Sequence, residues 1–397
     1  MIRATNIGFY NKLIIGLIVG ETFIRKYLPI GGVVLIGILT FMLFMILLLS
    51  YRGKYSNYST ESAFPLLSLF LLCCIQVAGL SPQLKAIILA WLLFIVVFLF
   101  SNYNIVRVSS IKASSYIVSL IGIINCLSIG GFSLLTSDVR EEMLIDKGGL
   151  TLWFAIALCI SFVHSIAKGL KSFSTVIFVV VLLTNVLVIQ SKTSLLAFVI
   201  FFIILFVFSE KTIKKKLFRY ALPICIVYGA LAISNPTEYI PHTFIVAINQ
   251  IAGSDIIPVY TNKYDTITYN ARELIDLYCT NLFLENPIAG IGLGNYELLR
   301  STPTGVTECE NTYYDLLVNG GCLYGLPVIY ILAITLIRAI RLIVKSKNIM
   351  EYYYILATLV AIIVCFRYND FLHVNVFMFI GICYYFCKNQ DRLQTLK

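Results

Sequence analysis

The sequence predicts an all-α polytopic membrane protein of about 12 transmembrane helices, with one large, partly helical loop on the outer side. Three observations carry that prediction. Hydrophobic residues make up 59% of the 397-residue chain and charged residues only 13%, a balance outside the range of soluble domains. The apolar residues fall into runs that approach the roughly 20 residues a helix needs to cross a bilayer. The basic residues gather in every second gap between those runs, as the positive-inside rule requires.

In chain order the candidate spans are Ile7–Phe23, Leu28–Ser50, Ala63–Leu80, Leu84–Asn102, Ser114–Leu135, Leu150–Ala167, Ser172–Gln190, Thr193–Ser209, Tyr220–Ser234, Cys322–Ile337, Tyr352–Phe366 and Phe371–Cys387. Several are drawn tight against flanking charges. The first is short and carries Asn11, Lys12 and Glu21. It reads as a span rather than a cleaved leader, because no small-residue cleavage site follows it and further spans come at once. The chain therefore divides into a transmembrane bundle of about nine spans over residues 1–234, a loop over 235–321, and about three more spans with a tail over 322–397.

With both termini cytoplasmic, the inner segments, counting Lys12 in the cytoplasmic half of the first span, hold 20 of the 30 basic residues and only 4 of the 20 acidic ones. Every inner gap is basic, so the alternation holds along the whole chain. The formal net charge of +10 is thus a record of topology, and nothing in it calls for a nucleic-acid partner.

The same map places residues 235–321 outside as one loop. It is far longer than the about 12–15 residues that compact folds normally leave without structure, and its pattern predicts two helices. From Thr266 to Leu284, the residues Ile267, Ala271, Leu274, Ile275, Tyr278 and Leu282 recur at steps of three and four, and Asn286–Pro287 stops the helix. The second is expected to start on a capping box formed by Thr307 and Glu310, and to end at Gly320–Gly321 on a left-handed C-cap.

Most of the 11 cysteines, among them Cys73, Cys74, Cys126, Cys159, Cys225, Cys365, Cys383 and Cys387, lie in the expected spans. There they act as small buried hydrophobes. Cys279 and Cys309 fall in the outer loop, where either a bridge or two free thiols is open. No cysteine or histidine spacing forms a metal site. Gly290-Ile-Gly-Leu-Gly294 lacks the strand–loop–helix setting and the lysine of a nucleotide loop. Its glycines instead suit a tight turn whose backbone approaches a ligand or another helix. No cofactor is expected.

The remaining polar features each have two readings. Glu310 either caps its helix or, aimed by a helix N-terminus, accepts a proton from a hydroxyl. Arg272 either pairs with Asp276 one turn away on a wet surface or meets an anion. Lys192, in Gln190-Ser-Lys-Thr-Ser194, either anchors a span at the interface or does the same. Two fixed cations on one face of a membrane suit an anionic leaving group such as a diphosphate, with no metal needed.

At these residues a family resemblance appears. Gln190-Ser-Lys-Thr-Ser-Leu-Leu196 resembles the S-R-T-x-L-L segment of the O-antigen polymerase and O-antigen ligase superfamily. Asn270-Ala-Arg272 followed by Asn286-Pro-Ile-Ala-Gly-Ile-Gly292 is similar to its R … N-P-x-x-G-x-G stretch. Glu310-Asn-Thr-Tyr-Tyr-Asp-Leu-Leu-Val-Asn-Gly320 resembles its helix of H/E-N-x-Y type. The order and spacing match over about the last half of the chain.

The resemblance implies a metal-independent glycosyltransferase of GT-C type in a bacterial inner membrane, working on undecaprenyl-diphosphate-linked oligosaccharides at the outer face. Donor and acceptor would both be such lipids, and a chain-length regulator and a flippase would be further partners. Glu310 stands where the ligase branch carries histidine, which favours a polymerase of O-antigen or capsular repeat units. Lys192 departs from the family's arginine.

Under that reading Arg272 and Lys192, with Arg300, would neutralise the departing diphosphate, and Glu310 would orient or deprotonate the acceptor hydroxyl. Asn311, Tyr313, Tyr314, Gly292 and Asn295 would line the sugar site. The alternatives are the ligase within the family and, outside it, a polytopic transporter or lipid-linked glycan flippase. Against the transporter stand nearly uncharged span interiors and the absence of related halves. A scaffold explains neither the cations nor the aromatic–amide helix.

The charge alternation makes a direct prediction. A reporter inserted within residues 235–321 should be active only on the outer side, and one inserted after Lys216 only on the cytoplasmic side. Cytoplasmic activity from the first insertion would invert the map.

Overall fold

The computed structural model describes residues 60–79, 82–102, 107–130, 147–169, 172–186, 191–234, 263–295, 309, 311–345, 350–367 and 374–395, with a few isolated positions elsewhere. Among the described residues the chain is helical throughout, with no strand. The helices are α1 (Thr60–Gly79), α2 (Leu84–Asn102), α3 (Val108–Gly130), α4 (Lys147–Lys168), α5 (Phe173–Thr184), α6 (Lys192–Phe208), α7 (Lys211–Ser234), α8 (Lys263–Glu285), α9 (Thr312–Lys345), α10 (Met350–Phe366) and α11 (Val374–Thr395).

Among the described residues, four helical stretches are long and apolar enough to cross a membrane: Leu84–Asn102, Val108–Ser128, Leu150–Lys168 and Thr312–Lys345. Ala63–Gly79, Phe173–Thr184, Thr193–Phe208 and Met350–Phe366 are apolar but shorter. The first two expected spans, Ile7–Phe23 and Leu28–Ser50, lie almost wholly outside the described residues. Several apolar helices thus fit a membrane protein.

Helix α4 is the centre. It is buried continuously from Leu150 to Val163, and α3, α5, α6, α7 and α10 pack around it. A helix apolar on all sides is stable only where every side is covered. Its hydroxyls bond inward, Ser161 to the Leu158 carbonyl at 3.2 Å and Ser165 to the Ser161 carbonyl at 2.7 Å. A second group joins α9, α10, α11, α1 and α2. Outward-facing stripes run along α1 (Phe64, Leu67, Leu71), α5 (Phe173, Val176, Val179, Leu183) and α6 (Val199, Ile203, Phe206). Their three- and four-residue steps place these side chains on one face of each helix, an apolar surface that fits a membrane protein.

Span boundaries move where charges are sheltered. Helix α3 begins at Val108 rather than Ser114, because Lys112 rests its ammonium 5.5 Å from the Tyr116 ring and 5.7 Å from the Tyr354 ring. Cation–π contact lets a lysine sit inside a helix whose apolar run its charge interrupts.

Helix α9 departs most from expectation. The chain does not stop at Gly320–Gly321; it breaks at Gly321 (φ 59°, ψ −156°) and resumes. That conformation is essentially restricted to glycine, and it is not a left-handed C-cap. A break orphans backbone groups, and each finds a partner. Cys322 N–H donates to Pro287 O at 2.8 Å and Leu323 N–H to Ile288 O at 3.2 Å, while Val318 O accepts from Ile291 N–H at 2.8 Å. Asn319 O accepts from Gln76 Nε2 at 3.0 Å. The turn over residues 286–294 therefore fills the gap in α9.

The approach is glycine on both sides. A Cβ on Gly321 would lie 2.4 Å from the Ile288 carbonyl oxygen, and one on Gly290 would lie 2.4 Å from that of Val318. Neither contact can be relieved by a side chain, since the obstacle is backbone.

Helix α1 secures this region through one face. Gln76 is fully buried; its Nε2 also donates to Ala289 O at 2.6 Å, and its Oε1 accepts from Leu293 N–H at 3.0 Å. Two turns earlier, Ser68 donates to Leu323 O at 2.6 Å. That carbonyl lacks its helical donor because Pro327, four residues on, has no N–H. Two turns earlier again, Glu61 accepts from both Arg338 (2.9 Å) and Tyr384 (2.5 Å). Burial alone raises the Glu61 carboxyl, but those hydrogen bonds outweigh it and hold the group below its ordinary value.

Replacing these groups should destabilise the fold in order. Gln76→Leu strips partners from buried backbone groups that cost about 1–3 kcal/mol each when unsatisfied. Gly321→Ala carries about 1–3 kcal/mol from its backbone conformation alone. Both should lower the thermal midpoint of the detergent-solubilised protein. Gly79→Ala, at a position with open space around it, should not. Equal midpoints for all three would remove the docking role assigned to the turn.

Candidate active site

The described segments that bear candidate residues meet at one end of the bundle. At the opposite end His164 of α4 hydrogen-bonds Tyr354 of α10. Thr151, roughly 20 Å back along α4 at 1.5 Å per residue, contacts Ser191 Oγ at 2.9 Å. Ile363, near the far end of α10, accepts from the Tyr313 hydroxyl at 3.0 Å. The start of α6, the start of α9, the end of α10, helix α8 and the turn over residues 286–294 therefore share this end.

Each segment is locally fixed. Ser191 caps α6, its Oγ accepting from Ser194 N–H at 3.4 Å. Asn185 Nδ2 donates to the Ser191 carbonyl at 3.3 Å. Lys192 is thus the first helical residue of α6, held by a buried polar knot of Thr151, Asn185, Ser191 and Ser194; its side chain lies outside the described parts. Arg272 sits on α8, one turn before Asp276, and its side chain is likewise not described.

Of the two readings of Arg272, a surface pair with Asp276 or an anion site, the described residues test neither, but they give Asp276 a second cation. Asp276 Oδ2 accepts from Arg367, at the end of α10, at 2.6 Å. This pair joins α8 to the bundle, so Asp276 already has a cation. Both side chains keep solvent contact, which limits the pair to about 0–1 kcal/mol.

The capping expectation is corrected too. Helix α9 begins at Thr312, and Asn311 Oδ1 accepts from Tyr313 N–H at 3.0 Å. Asn311 is the cap, as an asparagine at that position favours. A capping box on Thr307 and Glu310 needs a helix directly after Thr307, and α9 starts later. Glu310 itself, and Arg300, lie outside the described residues.

The aromatic pair faces two ways. Tyr313 turns into α10, its ring edge-on to Phe366 at 5.7 Å. Tyr314 turns to α8, where Thr280 donates to its hydroxyl at 3.1 Å. It packs there beside a small separate core of Ile275, Cys279, Leu282, Ile291, Cys309 and Val318. Gly292 is buried in the turn, and its carbonyl accepts from Asn295 N–H at 3.1 Å. Asn295 Nδ2 returns to the Ile291 carbonyl at 3.2 Å. Of the two approaches open to the glycine turn, the one described is to another helix.

The sequence reading missed Gln76, Asn319 and Ser191. Asn319 Oδ1 accepts from Gly294 N–H at 3.3 Å, while its Nδ2 donates to Asp315 Oδ1 at 2.7 Å. A buried amide in an apolar span is costly unless satisfied, and that was the available signal. Comparison with known proteins finds no matching family model and no matching curated protein.

Proposed function

We propose that this protein is a polymerase joining lipid-diphosphate-linked oligosaccharide repeat units on the outer face of a bacterial inner membrane. The observation that supports it best is the packing of α8, the 286–294 turn and the start of α9 into one unit. These elements bear two of the three segments that resemble the O-antigen polymerase and ligase superfamily. The third, at the start of α6, lies at the same end of the bundle.

In this reading Arg272 and Lys192, helped by Arg300, stabilise negative charge as the diphosphate departs. Glu310 takes the proton of the acceptor hydroxyl as the new glycosidic bond forms. Asn311, Tyr313, Tyr314, Gly292 and Asn295 line the sugar site, Asn311 by capping α9 and Gly292 and Asn295 by shaping the turn. The energy of transfer is already in the donor's diphosphate linkage, so the reading requires neither nucleotide nor metal.

Glu310→Gln should lower polymer formation by roughly 10²–10⁴-fold at normal protein levels. Arg272→Lys, which keeps the charge and loses the planar fork, should also impair it. Asp276→Asn, which weakens the solvent-exposed pair with Arg367, is the control and should stay near wild type. In a strain lacking the protein, surface lipid should carry single repeat units; long chains stranded on lipid diphosphate would instead indicate a ligase. Near-wild-type polymer from both Glu310→Gln and Arg272→Lys would overturn the catalytic roles.

A further inference from the structure

We infer that Cys279 and Cys309 are a disulfide modification site, whose bridge ties the segment leading into α9 to helix α8. The inference rests on the outer placement of this end, and not on the polymerase chemistry proposed above.

Four observations carry it. The two Sγ atoms lie 2.9 Å apart. Both residues are almost wholly enclosed, at 0% and 1% exposure. They share the small core with Ile275, Leu282, Ile291 and Val318, which is separate from the main core of the bundle. Other described cysteines sit inside α1, α3, α4, α9, α10 and α11, whereas this pair lies between two elements that are distant in sequence.

The hydrogen bond to Cys279 and burial push the Cys309 thiol well above its ordinary range. Once packed, Cys309 is therefore held as the thiol and is slow to react, since the thiolate is the attacking species. Oxidation belongs to the stage before α8 docks.

The oxidant is a disulfide of the cell envelope's dithiol oxidases. One cysteine thiolate attacks that disulfide to give a mixed disulfide and one free thiol. The second cysteine thiolate then displaces the remaining sulfur. One protein S–S bond forms and one oxidant S–S bond breaks. The two cysteine protons end on the two thiols released, and two electrons pass from the protein to the oxidant. The bridge then fixes residue 309, next to Glu310, against the helix that carries Arg272.

The test is differential alkylation of the full chain. Membranes are quenched in acid, the protein is denatured, and free thiols are blocked with N-ethylmaleimide without reductant. Reduction and a second, isotopically heavy maleimide follow, and each cysteine is read by mass spectrometry. Of the 11 cysteines, Cys279 and Cys309 should carry the heavy label and the other nine the light one. In Cys279→Ala, Cys309 should switch to the light label; Cys309→Ser should do the same for Cys279 and serves if the first variant does not accumulate. Light label on both cysteines in the wild-type protein overturns the proposal, as does heavy label persisting on the surviving cysteine of either variant. Polymer measured on the same cells keeps the questions apart. Polymer with free thiols defeats only the bridge, and a bridge without polymer defeats only the enzyme.

Discussion

The rest of this end of the molecule depends on the repair of one broken helix. Interrupting α9 at Gly321 releases two backbone donors and two acceptors inside a packed bundle. Cys322 and Leu323 N–H and Val318 O pair with the turn over residues 286–294, and Asn319 O pairs with Gln76. Irregular backbone is tolerated at membrane depth only where protein surrounds and satisfies it. The segment over residues 286–294 is thereby made part of the bundle, because the bundle's own hydrogen bonding is incomplete without it.

That constraint shapes whatever chemistry the site performs. Helix α8 ends where the turn begins, and the turn docks two to three turns into α9. The helix that carries Arg272 and helix α9 are therefore linked through the docked turn. The contact of Tyr314 with Thr280 adds a lateral tie. Catalysis by positioned charge needs such pre-organisation, since a displacement of about 1 Å can cost 10²-fold in rate. Asn311, Tyr313 and Tyr314 contribute by setting where α9 starts and which neighbours it faces.

Much of this was legible in the sequence, for identifiable reasons. Helix α2 runs from Leu84 to Asn102 as expected, because an uninterrupted apolar run leaves little freedom. Helix α8 spans Lys263–Glu285, close to its apolar stripe, and stops before Asn286–Pro287. The double glycine was visible, but its meaning was not. Nothing local distinguishes a helix end from a break that a remote turn will fill. The partner of Asp276 was equally hidden, since Arg367 is 91 residues away. For Cys279 and Cys309 the sequence left both outcomes open, and only packing brings the sulfurs together. Gln76 was readable in principle as an isolated amide in an apolar helix.

Backbone hydrogen exchange, followed by mass spectrometry on the protein in lipid nanodiscs, tests the docked turn most directly. The amides of Ile291, Leu293, Cys322 and Leu323 should be protected to the same order as those in the interior of α4. Exchange of these four within seconds, at the rate of an exposed loop, would contradict the structure described for this end of the molecule.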